Sequence, residues 1–312
     1  MTEARASAYA PATVANLGPG FDILGLALAE PGDTVTVGHS DAPGVNLKGI
    51  TGDGGQLPRE PEKNTAYVAA LHVLRTVAPG QGIDLWLEKG LPLASGLGSS
   101  AASAVAAAVA TNALFGNPLT TGELLPACIE AEAIVSGRHA DNVAPALFGG
   151  IILVTGLTPR DLYPLPVPDS LHLAVVSPNV RVPTSEARAV LPSQVSLHTM
   201  VEQTAIVAKL VHALHCRDTA LLAEAVSSDR VIEPARAHLM PFLRDAQQAA
   251  REAGALATII SGAGPTVCSI CDSAKSAELV RNALSAFYEQ KGIETISQAT
   301  QPSRCGAAVL NG

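Results

Sequence analysis

The chain has 312 residues, which exceeds the size at which one hydrophobic core usually suffices and favours two domains. Apolar residues make up 47% and aromatic residues only 3%, so we expect a globular core built mainly from Ala, Val, Leu and Ile. The net charge of −8, without a run of Lys or Arg, argues against nucleic acid or an anionic membrane as the main partner and favours a small molecule. The first residues contain no apolar signal segment and the five cysteines are scattered, so a cytoplasmic protein without a disulfide framework is expected.

Strand and helix patterns interleave in the N-terminal half. Short apolar runs predict strands at residues 5–10, 33–38, 82–88 and 149–155. Helical spacing of small apolar residues predicts helices at residues 64–77, from about 99 onward, and 120–135. Asn64 is the expected cap of the first helix, and Thr120 with Glu123 forms a capping-box signature for the third. Residues 11–22 and 40–62 are rich in Gly and Pro and predict loops, the second with short edge strands.

A proline-rich segment at residues 158–170 marks the expected domain boundary, which gives domains 1–157 and 158–312. Beyond it the patterns predict strands at residues 171–177 and 257–260 and at the end of the chain, and helices at 199–215, 220–226, 241–253 and 276–290. Cys268 and Cys271 match C-x-x-C, but they lie in an apolar run that predicts a buried strand, so we interpret them as core residues. The elements lack the regular βαβ rhythm, which favours an α+β fold.

The most informative segment lies at residues 92–102, PLASGLGSSAA, within a stretch between Leu91 and Gly122 that has no charged side chain. Glycines at 96 and 98 allow positive φ, so several backbone N–H groups can converge on one anion at the start of a helix. The hydroxyls of Ser99 and Ser100 can donate to phosphate oxygens or bind magnesium. The pattern therefore predicts a phosphate cradle.

Three other interpretations of this segment compete with a phosphate cradle. A membrane span is disfavoured because Ala predominates and polar residues interrupt the stretch. A dinucleotide site is disfavoured because no acidic residue follows at the distance that a ribose contact needs. A glycine-rich turn without a ligand stays open, whereas a Walker A loop is excluded because its lysine-containing motif is absent from the sequence.

Three segments, taken in order, resemble the motifs of the GHMP kinase family. They are residues 11–22 (PATVANLGPGFD), the loop at 92–102, and residues 260–267 (ISGAGPTV). Within that family the greatest likeness is to the homoserine kinases, through residues 16–22, 136–143 (SGRHADNV) and 229–236 (DRVIEPAR). The resemblance implies a ribosomal S5 domain 2-like N-terminal domain and a ferredoxin-like C-terminal domain, with the substrates in the cleft between them. The third motif is expected to pack its backbone against the phosphate loop.

The resemblance also implies an ATP-dependent phosphotransferase that requires Mg²⁺. Its ATP-binding residues would be Pro92, Leu93, Ala94, Ser95, Gly96, Leu97, Gly98, Ser99, Ser100, Ala101 and Ala102. Ser99 and Ser100 would bind the metal together with Glu132, with Glu130 as the solvated alternative because the two glutamates cannot share one helix face. The catalytic set that follows is Glu132, Ser99, Ser100 and Asn142.

The implied acceptor is L-homoserine, phosphorylated on its side-chain hydroxyl to O-phospho-L-homoserine on the route to threonine. A zwitterion needs cations for its carboxylate and acceptors for its ammonium group. By match to the family, Arg188 and Arg236 would face the carboxylate and Asn16 and Asp22 the ammonium group. The hydroxyl end would be lined by His139, Asp141 and Asn142, with Gly262 in the same pocket.

No residue declares itself a general base. Asp141 is the only carboxylate in the matched segment that could act so, and we assign it to substrate binding, with the base role as the alternative. A GHMP kinase for another alcohol, such as mevalonate, shikimate or a sugar, and a nucleotide-binding regulator without catalysis are the rival functions. A homodimer is expected from the family alone.

Overall fold

The computed structural model describes residues 4–310, and in it the chain builds two antiparallel-rich sheets covered by helices. The first sheet has seven strands, in the order β11-β1-β2-β4-β3, with β5 paired to the start of β2 and β6 paired to β5. Its strands are β1 (Arg5–Ala15), β2 (Leu24–Ser40), β3 (Gly44–Thr51), β4 (Gly82–Glu88), β5 (Ile151–Val154), β6 (Leu162–Leu165) and β11 (Ala308–Leu310). The second sheet, in the order β10-β7-β9-β8, contains β7 (His172–Pro178), β8 (Ala257–Ile260), β9 (Val267–Cys271) and β10 (Thr295–Thr300).

Ten α-helices accompany the sheets within residues 4–310. Those of the first half are α1 (Thr65–Val77), α2 (Ser99–Leu114), α3 (Thr121–Ala133) and α4 (Val143–Phe148). Those of the second half are α5 (Thr184–Ala189), α6 (Leu197–Cys216), α7 (Thr219–Val226), α8 (Ile232–Arg236), α9 (Leu243–Glu252) and α10 (Ala274–Gln290). Helices and strands thus interleave over two separate sheets, which confirms the α+β prediction.

Helix α2 lies at the centre of the first layer and explains the uncharged stretch. It packs against α1, α3, β1 and β2, and most of its side chains are buried, alanines above all. A helix enclosed on all sides tolerates no charge, and alanine lets its neighbours approach closely. Within the described part of the chain, no helix is both long and apolar enough to cross a membrane.

Several elements confirm their sequence signals. The Asn64 side chain accepts a hydrogen bond from the Tyr67 N–H and caps α1, and Thr120 with Glu123 forms the capping box of α3. Cys268 and Cys271 lie buried in β9, as their apolar surroundings predicted.

Other elements differ from the prediction. Strand β1 continues through Pro11 to Ala15, because a register shift between Pro11 and Thr13 accommodates the proline in the strand. Strand β2 is one element of 17 residues where two shorter apolar segments were seen. The Gly- and Pro-rich segment after it contains β3 at the edge of the sheet, in parallel with β4, which confirms a short edge strand there.

Two strands beyond the expected domain boundary belong to the first sheet. Strand β6 falls within the proline-rich segment and pairs with β5, and the C-terminal β11 returns to pair with β1. The first sheet therefore includes residues 162–165 and 308–310 as well as the N-terminal part of the chain. The division into 1–157 and 158–312 stays a prediction.

Candidate active site

A cavity of about 790 Å³ opens beside the start of α2. One wall is formed by the glycine-rich loop, another by the segment that links β1 to β2, and a third by the segment around α5 with the end of α8. All three segments that the sequence singled out contribute lining residues to this cavity. The predicted substrate and metal residues and most of the predicted phosphate residues therefore surround one space. Leu97, Ala101 and Ala102 are the exceptions, because they are buried in the core behind the loop and do not line the cavity.

The loop before α2 has the backbone of an anion cradle. Gly98, the residue before α2, has φ of +63°, and Gly96 has φ of +80°. A Cβ at Gly98 would lie 2.0 Å from Thr13 Oγ1, and one at Gly96 would lie 2.3 Å from the Ser261 carbonyl oxygen. Only glycine fits at either position. The free N–H groups at the start of α2 are consequently available to an anion in the cavity.

The third sequence segment packs its backbone against this loop, which confirms the expectation. The Ser261 hydroxyl donates to the Gly96 carbonyl at 2.7 Å, and the Thr266 N–H donates to the Ser95 carbonyl at 3.2 Å. The loop is thereby held in place from the second sheet.

Glu132 is buried at the end of α3, and its two carboxylate oxygens have different surroundings. Its Oε1 accepts from Ser100 Oγ at 3.0 Å and from Ser136 Oγ at 2.5 Å. Its Oε2 is buried without a hydrogen-bond partner among the described residues, and burial raises the pKa of this carboxyl group. Glu130, by contrast, pairs with Arg138 at the surface.

Glu132 and Ser100 have the donor atoms that a magnesium ion prefers. Within residues 4–310 no three His, Cys, Asp or Glu side chains cluster as a metal site. One carboxylate with an unpaired buried oxygen and an adjacent hydroxyl is the donor set that suits Mg²⁺, which takes its other ligands from phosphates and water. Glu132 and Ser100 supply such a pair.

Sequence reasoning missed a buried cation beneath the loop. The Lys89 ammonium group forms an ion pair with Asp33 and donates to Ser99 Oγ at 2.7 Å and Ser103 Oγ at 2.8 Å. Both members of the ion pair are buried. The Ser99 hydroxyl is thus held by Lys89, whereas Ser100 faces Glu132. The signal was a lysine three residues before the proline that opens the loop.

Asp22 lines the cavity from the segment between β1 and β2, and two other side chains approach its carboxylate. Arg188 holds it through two hydrogen bonds of 3.0 and 2.8 Å, in the bidentate geometry of a guanidinium with a carboxylate. His139 Nδ1 lies 3.4 Å from the same group, and burial lowers the pKa of that imidazole. Asp22 has φ of +61°, so the backbone turns sharply to present this side chain.

A second guanidinium lies beside the first. Arg236 is buried and donates to the carbonyls of Ala187 and Gly262, and burial lowers its pKa to about 10. The guanidinium carbons of Arg188 and Arg236 lie 5.3 and 5.1 Å from the centroid of the Phe21 ring. Phe21 was not predicted as a site residue, although it lies inside the first matched segment. Two guanidinium groups beside one aromatic ring have the chemistry to bind a carboxylate.

The remaining predicted residues complete the cavity wall. The Asn16 amide is engaged within the protein, since Nδ2 donates to the Gly262 carbonyl and Oδ1 accepts from the Asp22 N–H. Asn16 lines the cavity, and its role toward an ammonium group stays a prediction. Asp141 is buried, and burial, with Asp22 and Glu132 nearby, raises the pKa of its carboxyl group to about 7. Asn142, next to it, accepts a hydrogen bond from Thr13.

Comparison with known proteins shows which family this chain resembles. The model of the GHMP kinases N-terminal domain matches residues 64–150, and that of the GHMP kinases C-terminal domain matches residues 208–290. Homoserine kinase of Chloroherpeton thalassium is 41% identical over 314 residues, covering 97% of this chain and 98% of that protein. The crystal structure of homoserine kinase from Cytophaga hutchinsonii has a TM-score of 0.94 at 41% identity, covering 99% and 98% of the two chains. Mevalonate kinase from L. major, at 19% identity over 94% and 95% of the chains, has a TM-score of 0.72 and shares the fold alone.

Proposed function

The chain belongs to the GHMP kinase family and, within it, to the homoserine kinases, and we propose that it transfers the γ-phosphoryl group of ATP to the side-chain hydroxyl of L-homoserine. The product of this reaction is O-phospho-L-homoserine, and we place the chain in threonine biosynthesis on that ground. A cytoplasmic location and a homodimer remain predictions from the sequence and the family.

One observation carries the choice of substrate: Asp22, Arg188 and Arg236 converge on the cavity that the glycine-rich loop also lines. Asp22 and Arg188 pair with each other there through two hydrogen bonds. An α-amino acid has the same two charges in complementary positions, so its ammonium group can bind Asp22 while its carboxylate binds the two guanidinium groups. Neutral sugars and mevalonate lack the ammonium group that would match Asp22.

The chain's own residues then position the phosphoryl groups. The glycine-rich loop and the N-terminus of α2 would hold the triphosphate through backbone N–H groups, with the Lys89 ammonium group beneath them. Ser100 and Glu132 would hold the metal, since the Ser99 hydroxyl is already engaged by Lys89. A magnesium ion bound there would neutralise charge on the phosphate oxygens.

The acceptor hydroxyl would lie between His139, Asp141 and Asn142. Asp141 is assigned to binding this end of the substrate, because its pKa of about 7 leaves it able to exchange a hydrogen bond with a hydroxyl group. Catalysis on this account comes from alignment and charge neutralisation.

A coupled assay of ADP release with L-homoserine, mevalonate, shikimate and galactose tests the proposal. We expect turnover with L-homoserine alone. Turnover with another alcohol and none with L-homoserine would overturn the substrate while leaving the kinase family intact. ATP binding without turnover of any alcohol would favour a regulator.

A further inference from the structure

Thr13 occupies a special point beneath the phosphate loop. It is fully buried in β1, directly after the register shift that follows Pro11, and its N–H donates to the Leu97 carbonyl at 3.0 Å. Across this shift the pairing advances by two residues in β1 and by five in β2, so the extra residues lie in β2 and Thr13 stays in the extended strand. Here the hydroxyl comes to lie under Gly98, so close that a Cβ on that glycine would be 2.0 Å from Thr13 Oγ1.

The Asn142 side chain accepts a hydrogen bond from this hydroxyl and does not cap its helix in the usual way. It is the N-cap residue of α4, where an asparagine side chain normally accepts a hydrogen bond from an N–H of the first helical turn. The Asn142 side chain makes no such bond. Its Oδ1 accepts from Thr13 Oγ1 at 2.7 Å instead, and the residue lines the cavity.

We propose that Thr13 is a positioning residue for phosphoryl transfer, acting through Asn142, an inference that rests on the proposed function. Because the Thr13 hydroxyl occupies the amide oxygen, the two N–H donors of Asn142 Nδ2 remain for the cavity. An amide turned the other way would place oxygen lone pairs against the anionic phosphates. Thr13 thus orients the Asn142 amide so that its Nδ2 donates to the transferred phosphoryl group.

The test compares a variant without the hydroxyl with one that keeps it. Thr13→Val replaces the hydroxyl by a methyl group at nearly constant size, and Thr13→Ser keeps the hydroxyl and removes the methyl group. We expect Thr13→Val to lower kcat about 10- to 100-fold while KM for ATP and for the alcohol changes by less than about twofold. Thr13→Ser should stay within about threefold of the wild-type kcat. Should the valine variant not fold, Thr13→Ala provides the same comparison.

A double-mutant cycle separates positioning from packing. Asn142→Ala should lose at least as much activity as Thr13→Val, and the double variant should be no slower than Asn142→Ala alone, because Thr13 acts only through that amide. Thr111→Val is the matched control. Its hydroxyl, also fully buried, lacks a partner among the described residues, so kcat should not change.

A wild-type kcat in Thr13→Val would overturn the proposal, as would losses that multiply in the double variant or a Thr13→Ser variant as slow as Thr13→Val. If the wild-type chain phosphorylates an alcohol other than L-homoserine, the same ratios are measured with that alcohol. The proposed function then fails while the role of Thr13 is still decided.

Discussion

Replacing Asp141 by Asn should stabilise the protein above neutral pH while weakening its substrate site. Asp141 is buried, and its pKa is raised from 3.8 to about 7, mainly by burial. In the unfolded chain the carboxyl group ionises near its ordinary pKa, so the folded state holds a proton that the unfolded state has lost. An isosteric amide does not ionise and avoids this cost.

The size and sign follow from proton linkage. A pKa raised on folding contributes stability that is present below about pH 4 and is lost as the pH rises to about 7. The rise corresponds to about 4 kcal/mol in the limit where unfolding releases the proton completely, or about 1.4 kcal/mol for each pH unit within that window. The free energy of unfolding of Asp141→Asn should therefore rise above that of the wild type between pH 4 and 7. The difference should level off above pH 7.

Urea unfolding at pH 5, 6, 7 and 8 measures this difference in the free energy of unfolding. Asp41→Asn, the same change at an exposed carboxylate, is the control and should show no such trend. Kinetics should show a higher KM for L-homoserine with a smaller effect on kcat. A difference between wild type and Asp141→Asn that is independent of pH would refute the burial argument. A large fall in kcat at unchanged KM would refute the assignment to substrate binding.

Three further predictions concern the phosphate side of the cavity. Gly98→Val should abolish ATP binding, measured by calorimetry, because a Cβ would lie 2.0 Å from a buried hydroxyl, and an unchanged affinity would show that the loop does not hold the nucleotide. Glu132→Gln should lower kcat about 100-fold and weaken the dependence on Mg²⁺, whereas Glu130→Gln should not, and equal effects of the two would contradict the metal assignment. Lys89→Met should cost about 3–5 kcal/mol in urea unfolding because it leaves Asp33 buried without its cation, and adding Asp33→Asn should restore most of that stability; a double variant no more stable than the single would contradict the paired burial.

Local signals predicted the parts of the fold that depend on short stretches of chain. The Asn64 cap, the Thr120 capping box and the glycine-rich turn before α2 all depend on residues within a few positions of one another. The full length of β2 was not predicted, because its pairing with β4 is a contact between distant segments.

The same contrast between local signals and long-range contacts applies to the candidate site. The family motifs identified the glycine-rich loop, Glu132 and the two arginines, and these line one cavity. Lys89 was missed because its partner Asp33 lies 56 residues away and nothing near Lys89 in sequence indicates burial. Phe21 was missed because the approach of two guanidinium groups to its ring is visible only after folding brings them together.

Steady-state kinetics with L-homoserine and two truncated analogues tests the central claim most directly. The claim is that Asp22 and the paired arginines recognise both charges of an amino acid beside the phosphate loop. 4-Hydroxybutanoate lacks the ammonium group that would bind Asp22, and 3-amino-1-propanol lacks the carboxylate that would bind the two arginines. We predict that kcat/KM falls by at least about 100-fold for each analogue relative to L-homoserine. Comparable values for all three alcohols would contradict the account.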